Sequence, residues 1–137
     1  MNDENAKDSP IGIFDSGVGG ISVLKALKKE LPHEDFLFYG DQKNAPYGEK
    51  TEEEVRALSL SAYRFLKEHG VKATVIACNT ATSAAAPFLR EKFPEDIIVG
   101  MEPAVKPATL FAQEIAEREG EHSCLSEKKI LILATES

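Results

Sequence analysis

The chain has 137 residues, which is enough for one domain or for one domain and part of another. Its net charge of −7 argues against a general nucleic-acid-binding protein, because such proteins usually carry a basic patch. Apolar residues make up 42% of the chain, as is ordinary for soluble globular proteins, and no apolar run reaches the roughly 18 residues of a membrane-spanning helix.

The N-terminal residues 1–9 are polar and lack the basic and apolar regions of a signal peptide, so we expect a disordered leader there. The two cysteines lie far apart in unlike surroundings, which favours free thiols in a reducing compartment over a disulfide. A cytoplasmic protein is therefore expected.

The hydrophobic pattern predicts strands and helices in strict alternation. In chain order these are strand 11–14, helix 21–31, strand 36–39, helix 52–68, strand 73–77, helix 79–93, strand 97–99, helix 102–118 and strand 130–133. Alternation of this kind implies right-handed crossovers and a parallel sheet flanked by helices, the α/β fold class.

The second helix carries the clearest end signals. Thr51 and Glu54 match a capping box at its start, and Gly70 is the expected stop. Its predicted buried face shares helical spacing and consists of Val55, Leu58, Ala62, Phe65 and Leu66. The third helix carries Pro87 in its interior, where proline removes a hydrogen bond, so we expect a kink or a restart near Ala86.

Four chemically distinctive segments each follow a predicted strand. They are Asp15 to Gly20, Pro46 to Gly48, Cys78 to Thr80, and Glu102. In a parallel sheet the loops that follow the strands lie at one edge, where α/β proteins bind ligands. The sequence therefore predicts that these segments converge around one cleft.

Cys78 is the candidate reactive group, because it ends a buried-looking strand and precedes a helix. The positive end of a helix dipole and its free N–H groups favour thiolate. Asn79 and Thr80 beside it are suitable donors for a substrate carboxylate. A buried structural cysteine fits the same position, and the residues alone leave both interpretations open.

The glycine-rich turn after the first strand allows two interpretations. It fits neither the dinucleotide-binding spacing of glycines nor the P-loop. A turn without any ligand is one interpretation. In the other, exposed amides and Ser16 hold a small carboxylate while Asp15 holds an ammonium group or orients a base, which suits an amino acid. His122 and Cys124 are too few for a zinc site, and no metal site is expected.

Three motifs taken together resemble the bacterial glutamate racemases of the aspartate/glutamate racemase superfamily. The motifs are Ile13-Phe14-Asp15-Ser16-Gly17-Val18-Gly19-Gly20, Pro46-Tyr47-Gly48 and Ala77-Cys78-Asn79-Thr80-Ala81, and Glu102-Pro103-Ala104 fits the same pattern. The resemblance runs from about Pro10 to Leu133 and implies a flavodoxin-like first domain of a two-domain enzyme.

The resemblance also implies an activity. Members interconvert L- and D-glutamate for peptidoglycan synthesis without pyridoxal phosphate or metal, using two cysteines on opposite faces of the substrate. By the match, Cys78 is one of these acid/base groups and Asp15 assists it. The residues implied to hold the substrate are Ser16, Pro46, Tyr47, Gly48, Asn79 and Thr80. A homodimer, as in full-length members, is the implied assembly.

The chain departs from the family in length. Members are about twice as long, and their second cysteine lies in a Cys-Thr-His motif that this sequence lacks. We therefore expect residues 10–101 to be the first domain, carrying Cys78, and residues 102–137 to be a connecting helix and the first strand of a second domain. With one base of two, the chain alone is expected not to racemise glutamate.

Two alternatives stay open. One is another superfamily enzyme, such as an aspartate racemase or a single-cysteine decarboxylase. The other is a non-catalytic half domain that binds glutamate or a partner protein.

Overall fold

The computed structural model describes residues 8–101, which form a four-stranded parallel sheet with helices between the strands. The strands are β1 (Ile11–Asp15), β2 (Phe36–Gly40), β3 (Ala73–Ile76) and β4 (Ile97–Gly100). The helices are α1 (Ile21–Glu30), α2 (Glu52–Glu68) and α3 (Asn79–Lys92), and two 3₁₀ turns, Gln42–Asn44 and Tyr47–Glu49, follow β2.

The sheet has the strand order β2-β1-β3-β4, and every neighbouring pair is parallel. The predicted α/β class and parallel sheet are thus confirmed. Because β1 and β3 are the inner strands, Asp15 at the end of β1 and Cys78 just beyond β3 leave the sheet from adjacent strands. This adjacency brings two of the predicted motifs to one edge.

The main core lies on the face of the sheet that α2 and α3 cover. Phe14, Ile76 and Ile98 project from the strands into it, and Leu66 and Leu89 project from the helices. All five side chains are buried. Burial of each large apolar side chain on this face stabilises the fold by roughly 1.5–3 kcal/mol.

The start and stop of α2 are as predicted. The Thr51 hydroxyl accepts from the backbone N–H of Glu54, and the Glu54 carboxylate accepts from the backbone N–H of Thr51. The Glu54 carboxylate also accepts from the Thr51 hydroxyl, and the hydrogen bonds that it receives from the backbone N–H and the hydroxyl of Thr51 lower the pKa of Glu54. Gly70 has φ of 75°, the left-handed conformation that ends helices without a steric cost for glycine.

The predicted buried face of α2 is wrong at one position. Phe65 is 38% exposed and packs its ring against Tyr39, with 5.0 Å between ring centroids. Ser59 and Tyr63 are buried instead. Tyr63 reaches outward from the core to hydrogen-bond Asp96, so the apolar stripe of α2 includes a residue whose polar end has a partner.

Of the kink or restart predicted near Ala86, the restart is wrong, because α3 runs through Pro87 without interruption. Pro87 lies on the exposed side of α3, whereas Ala85, Ala86 and Leu89 around it are buried in the core. Packing of these neighbours on the sheet holds the helical backbone despite the missing N–H of proline.

Several predictions fall outside the described residues. They concern residues 1–7 of the leader, the helix at 102–118, the strand at 130–133, Glu102 and Cys124. Across residues 8–101, no helix is both long enough and apolar enough to cross a membrane.

Candidate functional site

Cys78 is the N-cap residue of α3, immediately before its first residue Asn79, and it caps the helix with its own side chain. The backbone N–H of Ala81 donates to Cys78 Sγ at 3.4 Å. The residue is 7% exposed, so the thiol is nearly but not fully enclosed. A sulfur that accepts from the first turn of a helix is placed where negative charge on it would be stabilised.

Ser16 meets Cys78 across the edge of the sheet. The Cys78 thiol donates to Ser16 Oγ at 3.4 Å, although 62 positions separate the two residues in sequence. Ser16 follows the inner strand β1, and Cys78 follows the neighbouring strand β3. The predicted convergence of these two motifs is therefore present in the fold.

Asp15 is buried beside this pair, at the end of β1. Its carboxylate accepts from the backbone N–H of Gly17 at 3.0 Å, which closes the first part of the glycine turn. Gly20 ends the turn and packs closely against Asp15, since a Cβ on Gly20 would lie 2.7 Å from the Cβ of Asp15. The carboxylate thus shapes the loop, and its expected assistance to Cys78 stays a prediction.

The Pro46 to Gly48 segment reaches the same edge from β2. Tyr47 is 1% exposed, and its ring packs on Phe14 with 6.1 Å between centroids. Its hydroxyl donates to Asp41 Oδ2 at 2.8 Å. Burial raises the pKa of Tyr47 well above its ordinary value, the Asp41 carboxylate raises it further, and Cys78 adds a smaller contribution.

The remaining substrate-binding candidates are accessible. Asn79 and Pro46 are exposed, and Thr80 and Gly48 are half-buried. A Cβ on Gly48 would meet no atom within 4 Å, so the backbone is open on that side. The arrangement therefore combines a nearly enclosed thiol with polar groups that solvent, or a small ligand, can reach.

The prediction from sequence missed two residues of this edge. Asp41 is 6% exposed and accepts hydrogen bonds from Tyr47 and from Asn44. Thr82 is buried in α3, donates to the carbonyl of Ile76 and accepts from the backbone N–H of Met101. The available signal for Asp41 was its position: it directly follows β2 at the edge where the other motifs meet.

The described part of the chain contains no cluster of three or more His, Cys, Asp or Glu side chains arranged to hold a metal ion. The groups at this edge are a thiol, two carboxylates, hydroxyls and backbone amides.

Curated proteins that are similar in sequence to this chain include glutamate racemases. Over 105 residues the chain is 56% identical to the glutamate racemase of Clostridium perfringens strain SM101, covering 77% of this chain and 40% of that protein. It is 64% identical over 102 residues to the glutamate racemase of Clostridium botulinum strain Hall, covering 74% and 39%. No protein-family model matches the chain.

Solved structures give the same relationship. Glutamate racemase from Thermus thermophilus, in complex with β-chloro-D-alanine, superposes with a TM-score of 0.68 and 48% identity, covering 77% of this chain and 40% of that one. The Escherichia coli enzyme, in complex with L-glutamate and the activator UDP-MurNAc-Ala, superposes with a TM-score of 0.68 and 38% identity, covering 74% and 39%.

The chain spans about 40% of the length of the relatives that it matches. The identity is high enough, and the superposition close enough, to establish common descent over the matched region. Across about three quarters of its length, this chain is homologous to the glutamate racemases and shares their α/β fold.

Proposed function

We propose that this chain supplies one half of the active site of a glutamate racemase, with Cys78 as one of two acid/base groups. The observation that carries the proposal is the meeting of Cys78 with Ser16 at the carboxyl edge of the sheet, beside Tyr47 and Asp15. Homology over the same residues supports it.

The proposed chemistry is proton transfer at the α-carbon of glutamate. The Cys78 thiolate takes the α-proton and becomes a thiol, while the electron pair stays on the substrate as a carbanion conjugated to its carboxylate. A second thiol, not supplied by residues 8–101, returns a proton to the opposite face. The Ala81 N–H at 3.4 Å from Sγ supports the thiolate before the transfer.

Binding roles follow from position at the edge. Ser16, Asn79 and Thr80 offer hydroxyl and amide donors near the thiol, and the helix N-terminus of α3 favours an anion. Pro46, Tyr47 and Gly48 form the opposite wall. In this proposal Asp15 assists Cys78 in two ways: it orients the glycine turn that carries Ser16, and it attracts the ammonium group of the substrate.

The proposed setting is the cytoplasm, where D-glutamate supplies peptidoglycan synthesis and cell shape depends on it. The reaction uses neither pyridoxal phosphate nor metal, and the complete enzyme is a homodimer. Glutamate is the proposed partner molecule, and nucleic acid is not a proposed ligand.

The test is hydrogen exchange at the α-carbon in D₂O. The 137-residue chain is incubated with L- or D-glutamate, and loss of the α-proton signal is followed by NMR while polarimetry follows inversion. We expect slow exchange of one enantiomer with retention and no racemisation, because the chain holds one proposed base of two.

Cys78→Ala is expected to abolish the exchange, and Cys124→Ser is the matched control that leaves it unchanged. Exchange that survives Cys78→Ala would show that Cys78 is not the base. Inversion by the chain alone would contradict the two-base scheme. Exchange of aspartate in place of glutamate would favour another superfamily enzyme, and glutamate binding without exchange would favour a non-catalytic half domain.

A further inference from the structure

A polar cluster beside the proposed site takes no part in the proton transfer above, although one of its members, Tyr47, is a proposed binding residue. The cluster consists of Asp41, Asn44 and Tyr47, and it is named here the Asp41 cluster. The Tyr47 hydroxyl donates to Asp41 Oδ2 at 2.8 Å, and Asn44 Nδ2 donates to Oδ1 at 2.9 Å and to Oδ2 at 3.0 Å. A carboxylate that is 6% exposed is costly to bury unless such donors satisfy it.

The Asp41 cluster joins two strand-end loops. The backbone N–H of Asp41 donates to the carbonyl of Asp15 at 2.9 Å, which ties the start of the β2 loop to the end of β1. The Asp41 side chain then reaches six positions along the chain to the Tyr47 hydroxyl. One residue therefore fixes the spacing between the Asp15 loop and the Pro46 to Gly48 segment.

Tyr47 is held at both ends. Phe14 packs against its ring, and Asp41 accepts its hydroxyl proton. The turn that begins at Tyr47 lies against α3, and Tyr47 and Cys78 belong to the same buried core. Because both ends of the ring are fixed, the hydrogen bond to Asp41 sets the position of the Pro46 to Gly48 segment, which forms the wall beside Cys78.

We infer that Asp41 is a positioning residue: it acts through Tyr47 to hold the Pro46 to Gly48 wall closed beside Cys78 and in place for a ligand. The ligand part of this inference rests on the proposed function. Asp41 itself has no role in proton transfer, because its carboxylate oxygens are occupied by the donors of Tyr47 and Asn44.

The chain contains a natural control for the test. Tyr63 is also 1% exposed and also donates its hydroxyl to a carboxylate, that of Asp96, which lies in the connection between α3 and β4. Tyr63→Phe and Tyr47→Phe therefore delete the same atom and the same kind of hydrogen bond. Only Tyr47→Phe touches the Asp41 cluster.

The experiment measures the alkylation rate of Cys78 by iodoacetamide in the folded chain, resolved by peptide mass spectrometry so that Cys124 serves as an internal reference. Loss of the hydrogen bond between Tyr47 and Asp41 increases the fraction of molecules in which the Pro46 to Gly48 wall moves away from Cys78. We expect Tyr47→Phe and Asp41→Ala to raise the rate roughly tenfold, the factor set by losing one hydrogen bond to a charged group. Asp41→Asn keeps an acceptor for Tyr47 and is expected to stay nearer the wild-type rate.

Tyr63→Phe is expected to leave the Cys78 rate unchanged. Wild-type rates in Tyr47→Phe and Asp41→Ala would overturn the inference, and so would an equal rise in Tyr63→Phe, which would indicate a general loss of stability. A second measurement repeats the alkylation with glutamate. Protection in wild type that is lost in Tyr47→Phe supports the ligand part. Absence of protection in wild type counts against the proposed function alone, since the rates without glutamate still decide whether Asp41 positions the wall.

Discussion

Gly20 shows how tightly the edge of the sheet is built at the scale of single residues. An added Cβ would lie 2.7 Å from Asp15 Cβ, which is closer than side-chain carbons approach, and 3.1 Å from Ala77 Cβ, which is tighter than most such contacts. Any larger residue must therefore push the glycine turn away from β1 and β3. The turn carries Ser16, so the displacement would reach the Cys78 contact.

Gly20→Ala is expected to lower the free energy of unfolding by about 1–3 kcal/mol, the usual cost of overpacking. Gly48→Ala is the matched control, because its Cβ would meet nothing within 4 Å. Urea unfolding followed by circular dichroism measures both. Equal stability of Gly20→Ala and wild type would contradict the close packing described for this turn.

Ser59 is the opposite case, a residue whose replacement is expected to increase the stability of the fold. Its hydroxyl is buried in α2 without a hydrogen-bond partner among residues 8–101. Ser59→Ala removes an unsatisfied polar group and installs a better helix former, so we expect a gain of about 1 kcal/mol in unfolding free energy. A loss of stability on thermal unfolding would show that the hydroxyl does have a partner.

Residues such as Asp41 mark the limit of prediction from sequence. The alternation of apolar runs and the glycine and proline signals predicted the strands, the sheet edge and the convergence of the segments that carry Asp15 and Cys78, because these depend on local pattern and parallel topology. Asp41 depends on a hydrogen bond to a side chain six positions away inside an aperiodic loop, which no periodicity encodes.

At the scale of elements, the connection between α3 and β4 is fastened to α2 by one carboxylate. Asp96 accepts from Lys67 and from Tyr63, and these hydrogen bonds hold the pKa of Asp96 below its ordinary value near 4. A carboxyl group whose pKa is lower in the folded state binds fewer protons there than in the unfolded state. The contribution of Asp96 to folding stability is therefore present at pH values above its pKa in the unfolded state. It is lost as the pH falls through its pKa in the folded state.

The stability of the domain is thus expected to decrease on acidification below about pH 4, in part through Asp96. Asp96→Asn should be less stable than wild type at neutral pH, and the difference should shrink toward acid pH. Melting temperatures of both proteins between pH 7 and pH 3 measure this. A difference that stays constant over that range would rule out the carboxylate as its source.

Elements also show why two predictions from sequence were wrong. Helical spacing placed Phe65 in the core, but the aromatic residue that is buried is Tyr63, whose hydroxyl has Asp96 as a partner. Proline rules predicted a kink or a restart near Ala86, but α3 does not restart, because the buried alanines beside Pro87 hold it against the sheet. In both cases tertiary packing outweighed the local preference of one residue.

At the scale of the whole molecule, the described domain places one thiol, the carboxylates of Asp15 and Asp41, and several donors on a single edge of a parallel sheet. The matched relatives extend well beyond the region that this chain covers, since the chain spans about 40% of their length. In the proposed function, residues 8–101 hold an amino acid and exchange its α-proton, and a second thiol supplies the proton to the opposite face.

The most direct test of this account is a titration of the ¹⁵N-labelled chain with D- and L-glutamate, followed by amide chemical shifts. We predict that the shifts concentrate at the carboxyl edge, on the amides of Ser16, Gly48, Asn79, Thr80 and Ala81, and that Cys78→Ala leaves the same amides responsive. Shifts confined to the opposite edge of the sheet, or none at saturating glutamate, would contradict the assignment of this edge as an amino-acid site.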